Sequence, residues 1–383
     1  MWLPTQHRVE EVGHGRGRFF VEDLLVQGQR HDLYLARDEH LDAKVVCIKA
    51  IRYGSAPERA EIEWRRAALR EELGHLTLAH PMVPEPLDYL TVVNPHFAAS
   101  SPWRDSEPLL VMEMQPGEVL STRMARMEAG IELRHALVML RELALMLSAL
   151  HRQGAVFCDL HPAHVIIGLD DVMHVVGWGN VRRLGSAVRT DAWSLSGYMA
   201  PELHRGGAPT PGVDVYGLGA LLATLLTGLA PQAGARPLAA EAQGRLARHD
   251  PGVQAVLAAA LWPDPARRWP ALAPLLAAME ALAAGAQPEA PHLAWQDLFG
   301  SGAALGAVAT VAVMPSGAAA SEQADVAVER AEATAVAEVT AAAQADGALA
   351  RAPGRGWILA AVITCSVAAL AVLGLILALV LRR

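Results

Sequence analysis

The hydrophobic period of the chain changes near residue 118, and that change decides what the chain can become. Before it, apolar residues come in short runs: "LYLARD" (33–38), "KVVCIKAI" (44–51), "LDYLTVV" (87–93) and "PLLVMEM" (108–114). Such β-rich runs, separated by polar turns, read as strands. One helical segment, "APERAEIEWRRAALREELGHLTLA" (56–79), interrupts them. A Pro- and Ser-rich loop, "NPHFAASSPWRDSE" (94–107), parts the last two. Beyond residue 118 the spacing turns helical. In "IELRHALVMLRELALMLSALHRQG", Leu133, Leu137, Leu140, Leu143 with Ala144, Leu147 and Leu150 fall on one face. A small β-rich lobe followed by a larger helical lobe is an α+β arrangement with a cleft between.

The far end carries a different signal. "WILAAVITCSVAALAVLGLILALVLRR" is uncharged and apolar from Ile358 to Leu381 and closes on Arg382 and Arg383. About 20 such residues span a bilayer as a helix, and Trp357 sits where an interfacial aromatic belongs. The expected layout is an N-terminal extension (1–15), a globular domain (16–283, its first lobe ending near 113), an Ala-rich tether (284–356), a transmembrane helix (357–381) and a two-residue tail. The tether holds too few large apolar residues to pack a core. Within it, residues 303–314 are apolar but too short to span, and an interfacial role stays open. The first residues, "MWLPTQHRVEEVGHGRG", are too polar for a signal peptide. The expectation is therefore a single-pass protein of the cytoplasmic membrane with its N-terminal domain in the cytoplasm. Arg351 and Arg355 balance the tail arginines, so flanking charge does not orient the span.

A net charge of −8 without a basic run argues against a nucleic-acid partner. Three scattered cysteines, Cys47, Cys158 and Cys365, suggest neither a disulfide framework nor a zinc motif. The abundance of Ala, Arg and Gly, with lysine only at Lys44 and Lys49, fits a GC-rich bacterial source.

The order of several short motifs resembles the bacterial Ser/Thr protein kinase family over most of residues 16–283. "CIKAI" is similar to the strand whose lysine pairs with nucleotide phosphates, which implies that role for Lys49. Its helix partner is expected at Glu71, with Glu72 and Glu63 open because helix phase is uncertain. "LLVMEMQPG" resembles the strand entering the interlobe hinge: Met112 takes the gatekeeper place, and Glu113 and Met114 offer backbone groups to an adenine. Leu33, Cys47 and Ile166 would line the apolar slot for that base. "GYMAPE" (197–202) and "DVYGLG" (214–219) match the family's frame. The resemblance implies a buried ion pair between Glu202 and Arg268, and a helix opening at Asp214 that supports the catalytic loop. "DLHPAH" and "GWG" also echo aminoglycoside and choline phosphotransferases, but the two frame motifs favour the protein kinases.

The chemistry is less complete than the frame. Phosphoryl transfer relies on positioning and on magnesium ions held by hard oxygen ligands. In "FCDLHPAHVII" (157–167), Asp159 stands at the place of the base. The magnesium-binding asparagine is replaced by His164, and the metal aspartate by Gly177 of "GWG". Asn180 and Asp170 are nearby in sequence, with nothing to show that they substitute. The lysine that steadies the γ-phosphate is His161, and the usual His-Arg pair is Phe157-Cys158, so a phosphorylated activation loop (Thr190, Ser194, Ser196) loses its charged partner. Of the glycine-rich loop only Gly28 remains, flanked by Val26 and His31. Phe157 and Trp178 replace a stacked His and Phe, and would fix that stack by apolar burial.

These residues lead to a membrane-anchored pseudokinase that holds cytoplasmic signalling partners and binds ATP weakly, without metal. Magnesium is not expected. An active Ser/Thr kinase with an atypical metal site is the alternative. A third reading groups Asp159, His161 and His164 as a transition-metal site, for which the sequence offers no fourth ligand.

Overall fold

A computed structural model describes residues 3–290, apart from 10–11, 13–16, 55–56, 128, 187–196 and 234–236. The run 358–381, nearly all of the tether, and Thr190, Ser194 and Ser196 lie outside the described residues. No helix among the described residues is long and apolar enough to cross a membrane.

The first lobe is a six-stranded antiparallel sheet. Its strands are β1 (His7–Arg8), β2 (Phe19–Gln27), β3 (His31–Asp38), β4 (Lys44–Ile51), β5 (Pro86–Val92) and β6 (Glu107–Glu113), in the order β1-β2-β3-β4-β6-β5. Alternation along β4 sends Val46, Ile48 and Ala50 into one apolar cluster with Phe19, Tyr34 and Val111. Cys47, Lys49 and Ile51 face the other way. Leu3 and Val9 are buried in the first cluster, so residues 3–9 of the expected extension pack on the domain. The boundary at residue 16 is corrected accordingly. The physical reason is that this sheet face is apolar and needs a cover.

One helix, α1 (Arg59–Leu76), lies between β4 and β5 in sequence. Its buried residues are Ile62, Leu69, Glu72 and Leu76, a single narrow stripe. The second lobe begins with β7 (Gly117–Val119), α2 (Leu120–Ala125) and α3 (Leu133–Arg152). Next come β8 (Ala155–Val156), β9 (Val165–Gly168), β10 (Met173–Val175) and β11 (Arg182–Arg183), short strands that carry the cleft-facing loops. They form two small antiparallel sheets, β10-β9-β7 and β11-β8. The remaining helices are α4 (Pro201–His204), α5 (Pro211–Thr227), α6 (Ala240–Leu246), α7 (Pro251–Leu261) and α8 (Leu272–Ala283).

α5 is the axis of this lobe. Pro211 occupies its first turn, where the missing N–H costs nothing, and Gly228 ends it at φ 71° with its N–H on the Thr224 carbonyl. Every residue from Gly212 to Thr227 is buried. A helix apolar on all sides can sit only inside a core. The α3 residues whose helical spacing reads from sequence, Leu137, Leu140, Leu143, Leu147 and Leu150, pack in the same cluster. α8 ends at Ala283.

Candidate active site

Lys49 reaches across to α1. Its ammonium lies 2.7 Å and 2.8 Å from the two carboxylate oxygens of Glu72. The expected partner, Glu71, is corrected. Glu72 lies on the buried stripe with Leu69 and Leu76, at i+3 and i+7, and Glu71 lies one residue, about 100°, off that line. Gly179 packs against the pair. A Cβ there would lie 3.2 Å from Glu72 Oε2 and 3.4 Å from Lys49 Nζ.

The loop between β8 and β9 is held from below by Asp214 at the start of α5. Its carboxylate accepts the N–H groups of Phe157 (2.9 Å) and Cys158 (2.8 Å) and lies 2.7 Å from His151 Nε2. Those bonds sustain a left-handed backbone at Cys158, φ 70°, unusual for a side chain with Cβ. Phe157 meets Trp178 edge to face, ring centroids 5.4 Å apart and planes at 90°. The Trp178 indole N–H donates to the Val175 carbonyl at 2.6 Å. Glu202 and Arg268 pair through both oxygens, at 2.7 Å and 3.0 Å. Arg268 also donates to the carbonyls of Trp262 and Gly212, so the buried guanidinium is fully engaged.

The two replaced metal positions are physically linked. Gly177 has φ 79°, and a Cβ on it would lie 2.6 Å from Cε1 of His164 and closer still to Cδ2 and Nε2. The imidazole fills the space that a side chain at 177 would take. A glycine without donor atoms and one imidazole do not fit magnesium, which demands oxygen ligands. Asp170 is spent in its own turn, accepting the Val172 N–H at 3.1 Å.

The turn between β2 and β3 closes on this loop. Gly28 N–H donates to the His31 carbonyl at 3.0 Å, and a Cβ on Gly28 would lie 2.5 Å from that oxygen, so only glycine fits. The Arg30 carbonyl accepts the Arg52 N–H at 2.8 Å. The Arg30 guanidinium then crosses the cleft to Asn180 Oδ1 at 3.0 Å, and Asn180 Nδ2 donates to Asp159 Oδ2 at 2.6 Å. Sequence reasoning does not single out Arg30. Its partner is 150 residues away, and only the folded turn brings it there.

Leu33, Lys49 and Leu110 form one cross-strand row, and Leu35, Cys47 and Met112 the next, so Leu33, Cys47 and Met112 share the face that carries Lys49. Ile166 packs instead with Val119, Ala163 and Val176. The Glu113 N–H is committed to the Glu85 carbonyl, and its carboxylate lies 3.5 Å from Lys44. Met114 follows β6 and is half-buried. A cavity of about 140 Å³ lies beside the Lys49–Glu72 pair, walled by Arg30, His31, Trp64, His164 and Asn180. None of Leu33, Cys47 and Ile166 lines it. It is smaller than the roughly 300–1,000 Å³ of ordinary ligand pockets. Burial pushes the His31 imidazole well below its usual range, with Lys49 and Arg30 adding to the effect. His161 is lowered to about 3, chiefly by burial, so its ring is neutral. Burial pushes the Cys47 thiol up to about 12 and leaves it inert.

The family model for the protein kinase domain matches residues 21–256. The chain belongs to the protein kinase family. It is 26% identical over 291 residues to the serine/threonine-protein kinase PknA of Mycobacterium tuberculosis, covering 72% of this chain and 63% of PknA. It is 26% identical over 296 residues to PknB of Mycolicibacterium smegmatis, covering 73% of this chain and 45% of that kinase. The chain thus spans under two thirds of these relatives' length. Over 131 residues, 33% of this chain and 32% of the relative, identity to PknL of M. tuberculosis is 37%. The kinase domain of M. tuberculosis PknI superposes with a TM-score of 0.53 at 20% identity, covering 71% of this chain and 98% of that domain, which supports the fold alone.

Proposed function

We propose that this kinase-family chain is a pseudokinase, a regulator or scaffold tethered to the cytoplasmic membrane by the run 358–381. The observation that carries the proposal is the linked replacement at 164 and 177: the imidazole fills the space where a second metal-binding side chain would have to stand. Charge neutralisation by metal supplies most of what a kinase contributes to phosphoryl transfer. Arg30 brings a fixed positive charge into the cleft instead, bonded to Asn180, which in turn holds Asp159. Weak ATP binding that needs no metal follows from that exchange. The tether and anchor would raise the local concentration of a cytoplasmic signalling partner held by the domain. A second reading, an active Ser/Thr kinase with an atypical metal site, draws on the intact Lys49–Glu72 pair and the assembled Phe157–Trp178 stack.

The test is thermal unfolding of the full chain in detergent against ATP, with and without Mg²⁺ or Mn²⁺. At 100 times its Kd a ligand adds about 2.7 kcal/mol, visible as a shift of a few degrees. The expected shift is indifferent to metal and is reduced in Arg30→Ala. A shift that requires metal contradicts the proposal. No shift removes the nucleotide and leaves a purely protein-binding scaffold.

A further inference from the structure

The carboxylate at the base position is only half satisfied. Asp159 is 3% exposed. Its Oδ2 is held by Asn180, but its Oδ1 is buried with no hydrogen-bond partner. A buried acceptor left unmatched costs free energy, more so when it belongs to a carboxylate. The His161 imidazole faces this oxygen, and the His164 imidazole stands beside the other one. His161 Nε2 lies 3.8 Å from Oδ1, and His164 Nδ1 lies 3.9 Å from Oδ2. Both distances are too long for a hydrogen bond and too short for an intervening water. The rings lie face to face, centroids 3.8 Å apart and tilted by 37°. His161 is itself 7% exposed. One ligand atom from each of the three residues lies within 4.8 Å of the other two.

From this arrangement we infer that Asp159, His161 and His164 form a binding site for a divalent first-row transition ion, with zinc as the best-suited probe. Two imidazoles and one carboxylate are a donor set that such ions accept and magnesium does not favour. Metal–ligand bonds of about 2.0–2.2 Å place an ion between the three side chains after an inward adjustment on the order of an ångström. The outer shell is already present. Asn180 fixes the far oxygen of Asp159, and His164 Nδ1 lies 2.8 Å from the Asp159 carbonyl. A carbonyl only accepts, so that nitrogen carries the hydrogen, and Nε2, not the Nδ1 that lies near Oδ2, is the atom left to bind an ion. His164 also borders the cavity beside Lys49, so a fourth position opens toward water or an anion. The site differs from the magnesium arrangement of active kinases because the base position itself becomes a ligand. A bound ion would occupy Asp159 and silence it. The inference stands apart from whether nucleotide binds.

The experiment uses the full chain in detergent, stripped of metal by a chelator and titrated with Zn²⁺ against a chromogenic zinc indicator. One high-affinity equivalent is expected, with Mg²⁺ failing to compete. His161→Ala, His164→Ala and Asp159→Asn should each weaken it by at least about 100-fold. His135→Ala, at an exposed helix position with 61% side-chain exposure, should leave it unchanged. No tight equivalent, or one that persists in His161→Ala and His164→Ala, overturns the inference. Because alanine variants can lose zinc by losing fold, His164→Cys is loaded with Co²⁺. A ligand at this position gives a new thiolate-to-cobalt charge-transfer band that wild type lacks, and cobalt binding without that band overturns the inference.

Discussion

At the residue scale, the coupling between positions 164 and 177 makes the sharpest claim. Gly177→Asp forces a side chain into the space of the His164 ring, although aspartate tolerates positive φ better than most residues. The single variant should be destabilised by about 1–3 kcal/mol, and His164→Asn should restore most of the loss, a coupling of the size measured between contacting residues. Urea unfolding of both singles and the double checks this; additive losses would mean that the ring and the glycine are independent. The helix partner of Lys49 is equally open to test. Glu72→Gln leaves a largely buried ammonium without a counter-charge and should cost about 3–5 kcal/mol. Glu71→Gln, off the buried stripe, should stay within about 0.5 kcal/mol. Equal effects on thermal unfolding would contradict the placement of α1.

At the element scale, β6 opens on a fully buried carboxylate. Glu107 lies 3.2 Å from Arg66 of α1 and 3.5 Å from the Tyr53 hydroxyl. Burial raises its pKa from 4.5 to about 7, with Arg66 opposing. A raised carboxyl pKa means that the folded state binds the proton more tightly than the unfolded state. The group therefore adds nothing to pH dependence below about pH 4.5, where both states hold the proton. It lowers stability as pH rises from there to about 7, and the full cost persists above that. His161 acts in the opposite sense, its neutral ring favouring the fold as pH rises from about 3 towards 6.5. The difference between wild type and Glu107→Gln isolates the carboxylate. The variant should gain stability relative to wild type across pH 4.5–7, on the order of 2–3 kcal/mol by pH 8. A constant difference across pH would remove Glu107 as the source.

Elements also mark what the sequence could tell. The β-rich runs, α3 and α5 are legible because their periods and frame motifs are local. Lys49, Asp214 and the Glu202–Arg268 pair can be assigned because each lies in a motif of fixed spacing. Glu71 competes with Glu72 in the sequence because a helix phase one residue out is invisible until Leu69 and Leu76 are known to face inward. β1 escapes sequence reading because it has two polar, exposed residues, His7 and Arg8. Its anchors, Leu3 and Val9, acquire meaning only against the sheet they cover. Arg30 escapes it because a guanidinium in a turn carries no pattern of its own.

At the scale of the whole molecule, an assembled cleft frame stands beside two replaced metal positions. Among the described residues, the elements that position a kinase cleft include the Lys49–Glu72 pair, the Phe157–Trp178 stack and the Asp214-anchored loop. The stack contributes to the fold itself, so Trp178→Ala should cost about 3–5 kcal/mol, seen as a lowered midpoint in denaturant. The replacements fall on the surfaces that would face phosphate and metal, at Gly177, His164, His161 and Arg30, and also inside the core, at Phe157, Cys158 and Trp178. On the proposed reading this frame transfers no phosphate. The most direct measurement is transfer of the ATP γ-phosphate to a generic protein acceptor and to the chain itself, in Mg²⁺ and in Mn²⁺, by wild type and by Asp159→Asn. Both proteins should sit at the same background in either metal. Turnover by wild type that Asp159→Asn abolishes would contradict it and establish an active kinase with an atypical metal site.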